Sequence, residues 1–320
     1  MTQKLAITTS VLLLGFGSAV FAQIFPARPI RLLIGFPPGG GGDVVGRALG
    51  QKLTESRGQS IVVENRGGAN GAIASELLVR AAPDGHTLML NTVGHSTNPS
   101  LLKLNFDSVR DFSFISQVAE SQNLLVSHPS FPARNVRELI ALSKQHPGAI
   151  TYGTQGVGAS GHLSGELFQL MAGVKWVHVP YKGGSLALID LIAGQISISF
   201  GNVPTLIQQV RSGKLRAIAV TGARRSAAVP DIATVAESGV PGFEVSNWFG
   251  LSAPAKTPAA IIERLHADTA RALKTPELRA TLSNAGADPL GTTPEQYTVF
   301  IQSEIAKWAK VIKAAGIKGE

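Results

Sequence analysis

Short apolar runs, glycine-rich turns and stretches of helical period alternate along the chain from residue 30 to about residue 220. Runs of this length, bounded by turn signals and alternating with helical segments, predict a mostly parallel sheet flanked by helices. Strands are expected at Ile30 to Phe36, Ile61 to Glu64, His86 to Asn91, Leu124 to Ser127, Ile150 to Thr154, Trp176 to Pro180, Gln195 to Gly201 and Leu215 to Thr221, with helices in the gaps. Asn135 with Glu138 three positions on is a capping-box pattern, and it opens a helix that Pro147-Gly148 closes. The last seventy or so residues change character. There Thr257-Pro258, Thr275-Pro276 and Thr293-Pro294 each read as an N-cap followed by proline at the first helical position, which predicts three terminal helices.

Two stretches read as counterparts, each a strand, a glycine-rich turn and a helix, at 30–53 and 150–171. Each is expected to begin its own lobe, because a chain of this length is at the upper limit for one core. The chain would leave the first lobe near Ser121, complete the second, and return near Asn247, where Trp248-Phe249-Gly250-Leu251 reads as another strand. The expected fold class is α/β, with two Rossmann-like lobes of mixed, mostly parallel sheets joined by a two-strand hinge. Residues 23–122 and 248–320 would form lobe 1, and residues 123–247 lobe 2.

Composition narrows the chemistry. Of 320 residues 44% are hydrophobic and 16% charged, which describes folded domains and not a disordered chain. No cysteine is present, which excludes a disulfide framework, a thiolate nucleophile and a cysteine-bearing metal site. The net charge of +8 comes from basic residues scattered singly with few aromatics, so no nucleic-acid partner is expected. Met1 to Ala22 carries Lys4, then an apolar run, then the small-residue end Val20-Phe21-Ala22, and reads as a signal peptide cleaved before Gln23. A membrane anchor needs about 20 uninterrupted apolar residues. Here Thr8, Thr9, Ser10, Gly15, Gly17 and Ser18 interrupt the run. The expectation is an exported protein, periplasmic in a Gram-negative cell and not membrane-embedded, acting as a monomer without nucleotide or other cofactor.

The turn Phe36-Pro37-Pro38-Gly39-Gly40-Gly41-Gly42-Asp43 lies between a buried-looking strand and a helix. Such a turn lets backbone approach a ligand closely and aims helix N-terminal N–H groups at one point, which suits a carboxylate or phosphate. In this turn neither the P-loop pattern nor the dinucleotide fingerprint is met. A ligand-free turn is the plain alternative, with Asp43 as the N-cap of its helix. The second turn, Thr154-Gln155-Gly156-Val157-Gly158-Ala159-Ser160-Gly161-His162, repeats the arrangement with hydroxyls added. One helix terminus contributes only about 0.3–1 kcal/mol to an anion, whereas micromolar binding needs about 8 kcal/mol. A cleft that closes two such turns over the anion is therefore required.

Catalytic readings are weaker. Gly158-Ala159-Ser160-Gly161-His162 has His where a nucleophile elbow has its last Gly. His162 and Glu166 share a helical face, but no third ligand accompanies them, so no metal is expected. Among the other histidines only His95 sits in a post-strand loop able to reach a cleft, and Trp308 and Val311 read as core.

These pieces resemble a known family. The blocks RPIRLLIGFPPGGGGDVVGR, VVENRGGANGAIASELLVRAAPDGHTLML, NPSL, YGTQGVGASGHLSGELF, VHVPYKGG with DLIAGQ, GKLRAIAVTGARR and GFEVSNWFGLSAPAKTP are similar, in order and spacing, to the Bug proteins. These are the periplasmic solute-binding receptors of tripartite tricarboxylate transporters, also called the TctC family, and the match covers nearly the whole mature chain. The resemblance implies a Venus-flytrap receptor, not an enzyme, that binds an organic acid and delivers it to membrane transporter subunits. It implies site residues Phe36, Gly39, Gly40, Gly41, Gly42 and Asp43, with Thr92 and His95, on the first lobe. Across the cleft it implies Thr154, Gly158, Ala159, Ser160, His162, Tyr181, Gly183, Gly184 and Asn202. Tyr181 reads equally as packing under its loop, and Asn70 reads as a turn residue outside the site. The family often has a hydroxyl residue where Gly42 and Ala159 stand, and Asp where Ser197 stands, so a roomier and less polar pocket is expected. Two other functions fit the sequence: a ligand sensor signalling to a membrane regulator, and an exported hydrolase using Ser160 and His162.

Overall fold

The computed structural model describes residues 25–319. The expected signal peptide at 1–22 lies outside the described residues. Strands β1 (Ile30–Ile34), β2 (Ile61–Asn65) and β3 (Thr87–Asn91) pair in parallel in the order β2-β1-β3. Helices α1 (Gly41–Arg57) and α2 (Ala72–Val79) make the crossovers, and α3 (Gly94–Leu101) leaves β3. The second lobe repeats this plan. Its parallel strands β5 (Thr151–Thr154), β6 (Val177–Pro180) and β7 (Ile198–Asn202) run in the order β7-β5-β6. Helices α5 (Ser160–Ala172) and α6 (Gly184–Ile192) cross between them, α4 (Val136–Gln145) precedes them, and α7 (Val203–Arg211) with β8 (Arg216–Val220) follows.

The lobes are joined by β4 (Phe112–Ser127) and β9 (Ser246–Pro254). β4 pairs antiparallel with β9 up to Gln122, then changes partners to β7 and β8 from Asn123 onward. That change of partner is the hinge. The sequence pattern predicts only the apolar end of β4, Leu124 to Ser127; the strand in fact begins at Phe112. Its first part carries polar residues that are buried because remote groups satisfy them. Ser116 Oγ donates to the Thr292 carbonyl (2.8 Å), and Ser121 Oγ donates to the Gly286 carbonyl (2.9 Å).

Three helices close the chain as expected: α8 (Ala259–Lys274), α9 (Pro276–Asn284) and α10 (Pro294–Ala315), with the short strand β10 (Ala287–Pro289) added along β4. Thr293 forms a capping box with Gln296, and Asn135 caps α4 through the Glu138 N–H. Thr257 does not cap α8: Pro258 holds the N-cap position, and the Thr257 hydroxyl donates back to the Pro254 carbonyl at 2.7 Å. Thr275 occupies its N-cap position, but its hydroxyl donates to the Ala272 carbonyl. α10 is bolted to the hinge strand by the buried Glu304 carboxylate, which accepts from the indoles of Trp248 (3.2 Å) and Trp308 (2.8 Å). One apolar cluster therefore runs from Met89 in the first lobe through Trp248 and Trp308 to Tyr152 and Phe168 in the second. Among the described residues no helix is long and apolar enough to cross a membrane.

Candidate ligand-binding site

The two glycine-rich turns meet across a small cavity of about 30 Å³. Phe36, Gly40, Gly41, Gly42, Asn70, Thr92, Val93 and Gly94 line it from one lobe. Gln155, Ala159, Ser160, Gly184, Asn202 and Thr205 line it from the other, and Asn247 of β9 lines it at the hinge. The first residues of α1, α3, α5 and α6 lie in this wall, and α7 reaches it through its N-cap Asn202 and through Thr205, so five helices start at one space. The opening turn of each helix leaves N–H groups without an intrahelical partner and carries partial positive charge. At about 0.3–1 kcal/mol per terminus the five together favour an anion by about 1.5–5 kcal/mol, before any hydrogen bond is counted. None of the lining residues is Lys, Arg, Asp or Glu.

The lobes are closed on each other. A Cβ on Gly41 would lie 2.8 Å from Asn202 Nδ2, and one on Gly183 would lie 2.6 Å from Pro37 Cδ. A Cβ on Gly158 would overlap Leu101 of α3, and Thr97 Oγ1 donates to the Gly158 carbonyl across the cleft at 2.9 Å. Glycine at these points lets main chain of one lobe reach the other.

Asp43 stands inside α1, not at its cap, because the helix begins at Gly41 with Gly40 as N-cap. Its carboxylate accepts from the Gly39 N–H (3.0 Å), Arg47 Nε (2.9 Å) and Asn65 Nδ2 (3.0 Å), which braces the turn from behind. Burial alone would raise its pKa, but those hydrogen bonds outweigh burial and hold it below the usual aspartate range. His95 turns away from the cavity. Its Nε2 lies 2.8 Å from the Ser108 carbonyl, and its ring packs edge-on against Phe112 at 4.6 Å. Thr154 and His162 act behind the second turn: Thr154 Oγ1 bonds His178 Nε2 (2.7 Å), and His162 Nδ1 accepts the Gly158 N–H (3.1 Å). Tyr181 lines an adjoining vestibule of about 290 Å³ and donates its hydroxyl proton to Asp190 at 2.6 Å. Gly39, Gly158 and Gly183 shape the turns without forming the cavity wall.

Residues 45–317 match the family described as the tripartite tricarboxylate transporter family receptor, TctC. Protein BugT of Bordetella pertussis is 36% identical over 310 residues, 95% of this chain and 94% of that protein. The chain belongs to the TctC receptor family. The structure of R. palustris Rpa4515 with adipate shares 35% identity and a TM-score of 0.90 over 92% of this chain and 100% of its own. That of MatC from Rhodopseudomonas palustris with bound malate shares 31% identity and a TM-score of 0.85 over 90% and 100%. TctC proteins are solute-binding receptors of the two-lobed periplasmic binding-protein fold, and this chain has that fold.

For a TctC receptor the absence of a nucleophile arrangement is understandable. Ser160 Oγ lies within hydrogen-bond distance of Asn123 Oδ1 (3.1 Å) and Asn202 Oδ1 (3.2 Å), both acceptors, while the His162 nitrogen facing the turn is taken by Gly158. A hydroxyl directed at amide oxygens has no base to remove its proton. Among the described residues no three His, Asp or Glu side chains are grouped to hold a metal. Asn70, Val93, Gly94, Gln155, Thr205 and Asn247 join the wall although the sequence motifs do not point to them. Asn70 is also the turn residue it resembled, with φ 51. At Gly42 an added Cβ meets nothing closer than 3.6 Å. Gly42→Ala is therefore expected to keep the fold and to stabilise it by about 0.4–1 kcal/mol, read from urea unfolding.

Proposed function

We propose that the protein is a periplasmic receptor that closes its lobes over a small organic acid and presents it to the membrane subunits of a tripartite transporter. The convergence of five helix N-termini on one closed, two-lobed cavity carries this reading. Main-chain donors from both lobes can reach a carboxylate together only in the closed form, so binding and closure are one event. The adipate and malate of two relatives' structures are acids of the charge this cavity suits. The signal-like segment at 1–22 supports export, and no cofactor or second protomer is required by the site.

Thermal unfolding in the presence of mono-, di- and tricarboxylates, amino acids and aromatic acids tests it. An acid supplied at 100 times its dissociation constant should stabilise the protein by about 2.7 kcal/mol. A flat response to every acid in the panel removes the receptor reading. Co-purification of the acid-bound form with the transporter's membrane subunits tests delivery, and capture by a sensor kinase instead would replace transport with signalling.

A further inference from the structure

The vestibule adjoins the cavity, with Phe36, Asn70 and Gln155 in the wall of both, and it too is built by the two lobes together. Asn98 and Leu101 of α3 stand on one side of it, Val157 of the second turn and Lys182 on the other. Among the described residues lining either chamber, Lys182 is the one charged side chain. It is exposed, and no described residue pairs with it. Asp190 of α6, a few residues on, accepts from the Tyr181 hydroxyl and lines neither chamber. Lys182 directly precedes Gly183, the N-cap of α6, and Gly184, the first residue of that helix, is cavity wall. Two residues span at most about 7 Å, so this cation is mounted beside one of the helix ends that face the cavity.

The two chambers differ in the range over which they attract. Helix ends carry partial charges whose effect fades within a turn, so the cavity holds an anion that has arrived and draws little from solution. A full charge at a wet rim acts over about a Debye length, about 8 Å at physiological ionic strength. We infer that the vestibule is an antechamber that gathers the acid's anion beside the cavity, and that Lys182 is its steering residue. This rests on the carboxylate reading above and adds a route to it. Exposed and free to move on its stem, the Lys182 ammonium speeds arrival, while the bound acid is held by the helix ends beyond it. Rim charges act in this way, on association rate and its salt dependence more than on final affinity.

Because the chain has no cysteine, a single introduced thiol reports on the vestibule alone. Val157→Cys places one in its wall, and Val62→Cys, on the edge strand β2 and 49% exposed, serves as the remote control. Two disulfide reagents are compared: dithiobis(nitrobenzoate), which carries two carboxylates, and dithiodipyridine, which is neutral. In about 10 mM salt, Lys182→Gln should slow the anionic reagent at Val157→Cys by about threefold or more and leave the neutral reagent unchanged. Lys182→Glu should slow the anionic reagent further. Neither substitution should change the rates at Val62→Cys, and about 0.5 M salt should erase the difference at Val157→Cys. Equal anionic rates with Lys and with Gln at position 182 overturn the assignment. So does an equal slowing of both reagents, which would mean that Lys182 shapes the vestibule and does not charge it. No acid need be bound for either measurement, so such a failure leaves the receptor reading standing, and the thermal panel tests that reading by itself.

Discussion

Gly41→Val is expected to weaken ligand binding by about 100-fold or more while leaving the ligand-free protein folded. The first side-chain atom at this position already comes within 2.8 Å of Asn202 Nδ2, 3.2 Å of Asn202 Cβ and 3.3 Å of the Phe249 ring. Valine adds two methyl groups beyond that atom, so the lobes are held apart at the point where α1 meets α7. An acid bound to the open form keeps the donors of one lobe and loses those of the other. At about 1.5–3 kcal/mol per charge-assisted hydrogen bond, losing one or two such bonds gives the expected factor. The fold itself has little reason to change, because Gly41 is the first residue of α1 and its clash is mainly with the opposite lobe. Calorimetry alongside a ligand-free melting curve checks this. Wild-type affinity in Gly41→Val would mean that the acid does not need this closure.

Acid should undo the second turn, on the facing lobe, from behind. Burial pushes the pKa of His162 down to about 4 and that of His178 down to about 3, the latter helped by the facing His162 ring. Burial also takes His95 to about 4 against the opposing pull of the Ser108 carbonyl. In the unfolded chain each titrates near about 6.5. Above that value the histidines are neutral in both states and pH has no leverage. As pH falls from 6.5 toward 4 the unfolded chain takes up protons that the folded protein refuses, so stability is lost through that window. A shift of this size is worth about 3 kcal/mol for a single histidine. His162 and His178 stack with ring centroids 3.9 Å apart, beside Tyr152, Glu166 and Thr154, so protonating either strains the pair. A protonated His162 no longer accepts the Gly158 N–H, whose own carbonyl takes the bond from Thr97 across the cleft. Urea midpoints measured from pH 7.5 to 4.5 should fall steeply below about pH 6. His162→Gln, which keeps an acceptor without a titrating ring, should flatten the slope; an equally steep fall in that variant would clear His162 of responsibility.

The parallel strands and their glycine turns are legible in the sequence because each is a local signal: an apolar run, a turn, a helical period. β4 is not, since Ser113, Ser116, Gln117, Ser121 and Asn123 break the apolar pattern. Ser116 and Ser121 are satisfied by the carbonyls of Thr292 and Gly286, far along the chain, and no window of sequence shows that pairing. The cavity wall divides the same way. Gly40, Gly41, Gly42, Ala159, Ser160 and Gly184 belong to turns whose chemistry is visible locally. Asn247 and Thr205 are ordinary polar residues until the hinge and α7 bring them to the cavity. Asn70 was masked by its own turn, because one residue supplies both the left-handed backbone and an amide facing the site. Asp43 shows the reverse: its charge draws attention, yet it braces the turn without entering the cavity wall.

The proposed grip by main chain would have an evolutionary consequence. Peptide N–H groups are the same whatever residue carries them, so point mutations in the wall cannot readily erase the anchor for the acid's head. They can, however, remodel the space around its tail. Descendants of such a receptor are free to change diet by drifting at positions such as Asn70, Thr205 and Asn247 while inheriting an intact anchor, which lets duplicated copies diverge without passing through a non-functional ancestor.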